Sequence, residues 1–176
     1  QTIDSGHGES IQFKECIHEP KGNRLVFEGI VQPGCGPIFH VHLCQAEGFE
    51  ARQGTMAYQV RGHPVQYLAA GDKTVFEQAV PHRFWNAGDT ELIMNSWAKP
   101  AGNLRRYMTI LFLSTSKRHS NTPALFDAAY LTIQYKGEFD VLEIPYLVKS
   151  LLFPAVYWIG RAFGVYKKYE LKKSDE

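Results

Sequence analysis

Between Ser10 and Ala98 the chain is cut by Gly, Pro and Asp into the short runs IQFKEC, RLVFEGIVQP, PIFHVHLC, GTMAYQV, PVQYLAAG, TVFEQAVP and ELIMNSWA. Runs this short bury an apolar face only by pairing with one another, and a turn signal after each one marks an antiparallel sandwich or barrel. No helical pattern separates consecutive runs, which excludes a parallel α/β sheet in this part of the chain.

After Pro100 the period changes. Leu104, Tyr107, Met108, Leu111 and Phe112 fall on one face of a helix. Thr122 followed by Pro123 predicts an N-cap with proline at the first helical position, and Phe126, Ala129, Tyr130 and Ile133 make the next stripe. A third segment starts near Pro145, is expected to kink at Pro154, and stops at Gly164 before Lys167, Lys168, Lys172 and Lys173. The expected division is residues 1–100 as a β-barrel and 101–176 as a helical extension packed on the barrel or at an interface, with the joint at 98–102. Short helices are marginal alone in water, so these need a surface, their own barrel or a dimer partner being favoured over a lipid interface.

Charge and cysteine content narrow the function classes. Among 176 residues Lys and Arg number 19 against 18 Asp and Glu, a formal charge of +1 that offers no field for a polyanion, so nucleic acid is not an expected partner. Cys16, Cys35 and Cys44 form no CxxC pair, which speaks against a disulfide scaffold or a thiolate zinc finger. The longest apolar stretch, residues 144–159, contains Pro145, Lys149 and Pro154 and is shorter than the roughly 20 apolar residues of a membrane span. No apolar h-region opens the sequence, which starts at Gln1. Localisation stays open between the cytoplasm and a peripheral membrane position.

The stretch GCGPIFHVHLCQAEGFEARQG carries the chemistry. His40 and His42 are separated by one residue in a strand-like run, so both imidazoles point to the same face, about 7 Å apart along the backbone and able to converge on one ion. Glu47 stands five residues on, an odd offset that requires a bend or bulge to bring its carboxylate to the same face. Glu50 is the replacement candidate. His82 follows in AVPHRFWN. Three imidazoles and a carboxylate suit a divalent transition metal, Fe, Mn, Zn, Ni or Cu, and not the all-oxygen cages of calcium or magnesium.

The spacing Gly34, His40, His42, Glu47 and Gly54 resembles the first motif of the cupin family at each fixed position. Gly71, His82 and Asn86 match the second motif, whereas Glu77 stands in place of its usual proline and Ala79 in place of its usual glycine, which predicts an altered turn before His82. The resemblance covers residues 24–98. It implies a mainly β fold, a double-stranded jelly-roll barrel followed by an α-helical extension, with a metal held by the residues corresponding to His40, His42, Glu47 and His82.

From these features the expected protein is a metal-dependent cupin acting on a small organic molecule, with oxidoreductase or dioxygenase-type chemistry. Four protein ligands leave one or two coordination positions open for substrate or dioxygen. Glu47 doubles as a candidate general base. The competing expectations are a non-enzymatic binding or sensing module and a metal-assisted isomerase or lyase. Tyr58 and Phe84 are candidate pocket walls by strand alternation; Cys44 shares the parity of the histidines but reads more simply as a small buried hydrophobe. Asn86 is expected to be a turn residue or to orient a ligand. His63, in RGHP, is expected to be exposed, and His7, His18 and His119 have no partner at ligand spacing.

Overall fold

The computed structural model describes residues 1–118 and 120–170. Lys172, Lys173 and His119, considered above, lie outside the described residues. The strands are β1 (Thr2–Asp4), β2 (Glu9–Ile17), β3 (Arg24–Val31), β4 (His40–His42), β5 (Ala46–Gln53), β6 (Met56–Val60), β7 (Gln66–Leu68), β8 (Lys73–Phe76), β9 (His82–Asn86), β10 (Leu92–Lys99) and β11 (Phe139–Val141). They form a six-stranded sheet in the order β1-β2-β3-β10-β5-β8 and a five-stranded sheet in the order β11-β4-β9-β6-β7. The expected jelly-roll barrel with following helices is therefore the observed architecture.

The centre of the larger sheet shows why these runs become strands. β3 and β10 alternate in burial along their whole length, and their antiparallel register sets large side chains against small ones. Met94 faces Gly29, Phe27 faces Ser96 and Leu25 faces Ala98. Such complementarity fills the space between the sheets at the density a protein interior requires. Gly54, at φ 81, shows a turn constraint: a Cβ there would press on the Glu91 carbonyl.

The helices are α1 (Leu104–Arg118), α2 (Leu125–Gln134), α3 (Phe153–Ala162) and α4 (Lys167–Glu170), with a π-helical turn at Val148–Leu152 before α3. One detail differs from expectation. α2 begins at Leu125 rather than Pro123, because its N-terminus is held by a tertiary contact: Ser114 Oγ of α1 accepts the Ala124 N–H at 2.9 Å and donates to Asp127 Oδ2 at 2.7 Å. The irregularity expected at Pro154 takes the form of the π-helical turn just before α3; Pro154 sits in the first turn of α3, and Leu152 and Phe153 ahead of it keep right-handed helical dihedrals.

Two apolar clusters result. Val31, Phe49, Met56, Phe76, Leu92 and Met94 fill the barrel. A second cluster joins barrel residues such as Ile11, Phe13 and Phe27 to Phe112, Tyr130 and Phe153 of the helices. β11, in the stretch read as helical from sequence, is an edge strand of the smaller sheet. It pairs with β4 so that Phe139 faces His42 and Val141 faces His40.

Candidate metal centre

Three elements bring the candidate ligands together. β4 carries His40 and His42; β9 begins at His82, the direct cross-strand neighbour of His40. Hydrogen bonding between strands thus joins imidazoles far apart in sequence. Glu47 arrives from β5 in the other sheet. Of the expected bend or bulge it is a bend that aims it: the chain turns at Leu43 and Cys44, leaves the smaller sheet after His42 and enters the larger one at Ala46, so Glu47 faces its partners across the barrel.

Candidate donor atoms of His40, Glu47 and His82 lie within 4.8 Å of one another. Glu47 Oε2 is 3.3 Å from His42 Nε2 and 3.4 Å from His82 Nε2. His42, Glu47 and His82 are buried, while His40 is partly exposed and marks the side from which the centre is reached.

The outward nitrogens decide the tautomers. His40 Nδ1 lies 2.9 Å from the Ile38 carbonyl and His82 Nδ1 2.9 Å from the Val80 carbonyl. A carbonyl only accepts, so each Nδ1 carries a proton and Nε2 is the ring atom turned inward. His42 Nδ1 lies 3.1 Å from Gln45 Oε1, whose amide is oriented because its Nε2 donates to the Ala101 carbonyl and to Glu138 Oε2. Burial, then repulsion from His42 and His82, pushes the His40 pKa down to about 3, keeping that ring neutral. Burial opposes the charge of Glu47, but the neighbouring imidazoles, His42 foremost, hold its carboxyl below the ordinary carboxylate range.

The centre therefore gathers three imidazoles and a carboxylate. His82 Nε2 is buried without a well-formed hydrogen bond. Imidazole nitrogens and a carboxylate converging inside the barrel, one of the nitrogens buried and unsatisfied, are a donor set that fits a divalent transition metal. Aromatic rings enclose it: Phe76 stacks on His82 at 3.9 Å between centroids, and Phe139 meets His42 edge-on at 5.1 Å.

The other sequence candidates divide. Phe84 contacts Phe49 and belongs to the barrel cluster. Tyr58 packs edge-on against Phe76 and, with Val60, His63 and Gln66, lines a cavity of about 320 Å³. Cys44 lies beyond the end of β4, exposed, its thiol 3.2 Å from the Gly137 carbonyl, so strand parity does not extend to it and it is neither a cavity wall nor a buried hydrophobe. Glu50 faces away and pairs with Arg52 and Lys73. Asn86, the last residue of β9, is buried and fastens the turn that follows, donating to the carbonyls of Val31 and Thr90 and accepting from Gly88 N–H. Ala79 adopts φ 61, the left-handed conformation glycine takes readily, and donates its N–H to the His42 carbonyl at 2.8 Å. The turn before His82 thus keeps a glycine-like shape without glycine, at a cost of about 1 kcal/mol.

Sequence patterning missed Gln45, Glu138 and Phe139. Gln45 is an isolated polar residue in a turn, and β11 is three residues long, too short to show a period. Only the Gly137 breaker before Glu138 hints at a change of structure.

Residues 27–97 match the family model described as the cupin domain. No curated protein matches the chain. Among solved structures, a cupin-like protein from Thermotoga maritima is 23% identical, over 53% of this chain and 69% of the other, at a TM-score of 0.47. A conserved protein with a double-stranded β-helix domain from Klebsiella pneumoniae is 22% identical, over 51% and 76%, at 0.43. An oxalate oxidase is 18% identical over 53% of this chain and 52% of its own length, at 0.45.

Proposed function

Residues 27–97 are a cupin domain, and from that premise we propose a metal-dependent protein that acts on a small organic molecule at a centre of His40, His42, Glu47 and His82, with oxidation as its chemistry. The observation that carries this is the meeting of His42 Nε2 and His82 Nε2 with the buried Glu47 carboxylate, His40 lying beside them. A bound transition metal would supply Lewis acidity and, as iron or manganese, one-electron redox capacity. The protein's own part is to hold the imidazoles through their Nδ1 protons, to keep His40 neutral, and to exclude bulk water with Phe76 and Phe139. Glu47 serves as ligand and, where it moves off the ion, as general base for a substrate proton.

The test is anaerobic purification with elemental analysis, followed by oxygen-uptake screening against phenolic and diketone compounds in iron-, manganese- and zinc-loaded protein. Turnover is expected with a redox-active metal and abolished in the zinc form. An active zinc form would replace oxidation by isomerase or lyase chemistry. Binding without turnover in every form would leave a binding or sensing module.

Gln45 gives a second expectation. Gln45→Ala removes the acceptor of the His42 Nδ1 proton, so metal affinity should fall roughly 10–100-fold, the usual cost of losing the group that orients a ligand. Gln45→Glu keeps an acceptor for His42 but loses the donor to Ala101 and Glu138, so in chelator-competition titrations it should fall between Gln45→Ala and the parent protein. Unchanged affinity in Gln45→Ala would show that His42 is oriented by something else.

A further inference from the structure

The segment from the π-helical turn through α3 has two apolar faces. Phe153, Val156, Tyr157 and Gly160 are buried against the rest of the protein. Leu151, Leu152, Trp158, Ile159 and Phe163 recur at helical spacing on the other side and face solvent, Leu151 66% exposed, Trp158 65% and Phe163 82%. Tyr146 and Leu147 just before the turn are equally open. A soluble surface rarely leaves so many large apolar side chains contiguous without a function.

Charge indicates what covers them. From Pro145 to Tyr169 the sequence contains Lys149, Arg161, Lys167 and Lys168 and no Asp or Glu. Lys149 is paired with Asp140 and Lys168 with Asp127, whereas Arg161 and Lys167 are exposed. Both line a cavity of about 510 Å³ together with Arg106 and Tyr166, and among the described residues no carboxylate lines it. Tyr166 Oη is buried there without a hydrogen-bond partner. Arg161 follows Trp158 by three residues, so the cationic cavity and the apolar stripe share an edge.

We propose that this face docks on an anionic phospholipid bilayer, the stripe entering the boundary between headgroups and acyl chains while the Arg106, Arg161 and Lys167 cavity receives a headgroup phosphate. The proposal does not depend on the metal reading. Apolar and aromatic residues beside exposed cations such as Arg161 and Lys167 have the chemistry of an interfacial helix. No described helix is long and apolar enough to cross a membrane, so the contact is with one surface. A second copy fits less well, since a two-fold contact joins the same patch to itself and would oppose one cationic rim to the other.

Flotation of the full chain with phosphatidylcholine vesicles, with and without phosphatidylglycerol, tests this. Binding is expected only to the anionic vesicles and should weaken with salt. Trp158→Glu and Arg161→Glu, both at exposed positions, should each lower it roughly tenfold with melting temperature unchanged. Equal binding to both vesicle types, or to neither, overturns the proposal. A dimer dissociated by Trp158→Glu in protein that ignores vesicles would assign the face to a second copy. Binding of inorganic phosphate without vesicle binding would assign the cavity to a soluble anion.

Discussion

His42→Ala should strip the protein of its metal, while His63→Ala leaves metal content unchanged. His42 Nε2 stands 3.3 Å from Glu47 Oε2 inside the barrel, whereas His63 lies in an exposed turn at the rim of the Tyr58 cavity. Deleting a ligand should exceed the roughly 10–100-fold affinity loss that follows removal of an orienting partner. It would also leave Glu47, 4% exposed, without one of the groups that hold its charge. Elemental analysis after gel filtration in a weak chelator reads the difference, with circular dichroism to establish that both variants fold. Equal metal content would remove the four-residue assignment.

Truncation after Asn121 should yield an aggregating chain that holds no metal. The lost segment supplies Tyr130, Leu131, Tyr135, Phe139, Phe153 and Tyr157 to the cluster that covers Ile3, Ile11, Phe13 and Phe27. At about 1.5–3 kcal/mol for each large apolar side chain buried, the loss is comparable to the whole net stability of about 5–15 kcal/mol typical of a domain. Removing β11 also bares the edge of β4 beside both histidines, and removing Glu138 frees Gln45. A soluble truncated chain with intact near-ultraviolet dichroism and the parent metal content would show that the extension is dispensable.

The barrel was legible because β3 and β10 alternate residue by residue, and that period is imposed by the local geometry of a strand. The same parity put His40 and His42 on one face. It also required a bend or bulge before Glu47, and the bend is there, but parity holds only within one strand and does not say that the bend carries the chain from one sheet to the other between Leu43 and Ala46. It failed for Cys44 for the same reason. α1 was legible as a stripe from Leu104, but the start of α2 was displaced by Ser114, a contact from another helix that local capping preference does not contain.

Local pattern, which depends on neighbouring residues, was enough for the sheet architecture, the helical extension and the identity of the candidate donors. The pairing of His40 with His82, the approach of Glu47 from the opposite sheet, the Gln45–Glu138 clamp and the seating of β11 against β4 were decided by tertiary structure. Each depends on side chains distant in sequence being pressed together when apolar surface leaves water, and no periodicity records which distant segment will be the partner.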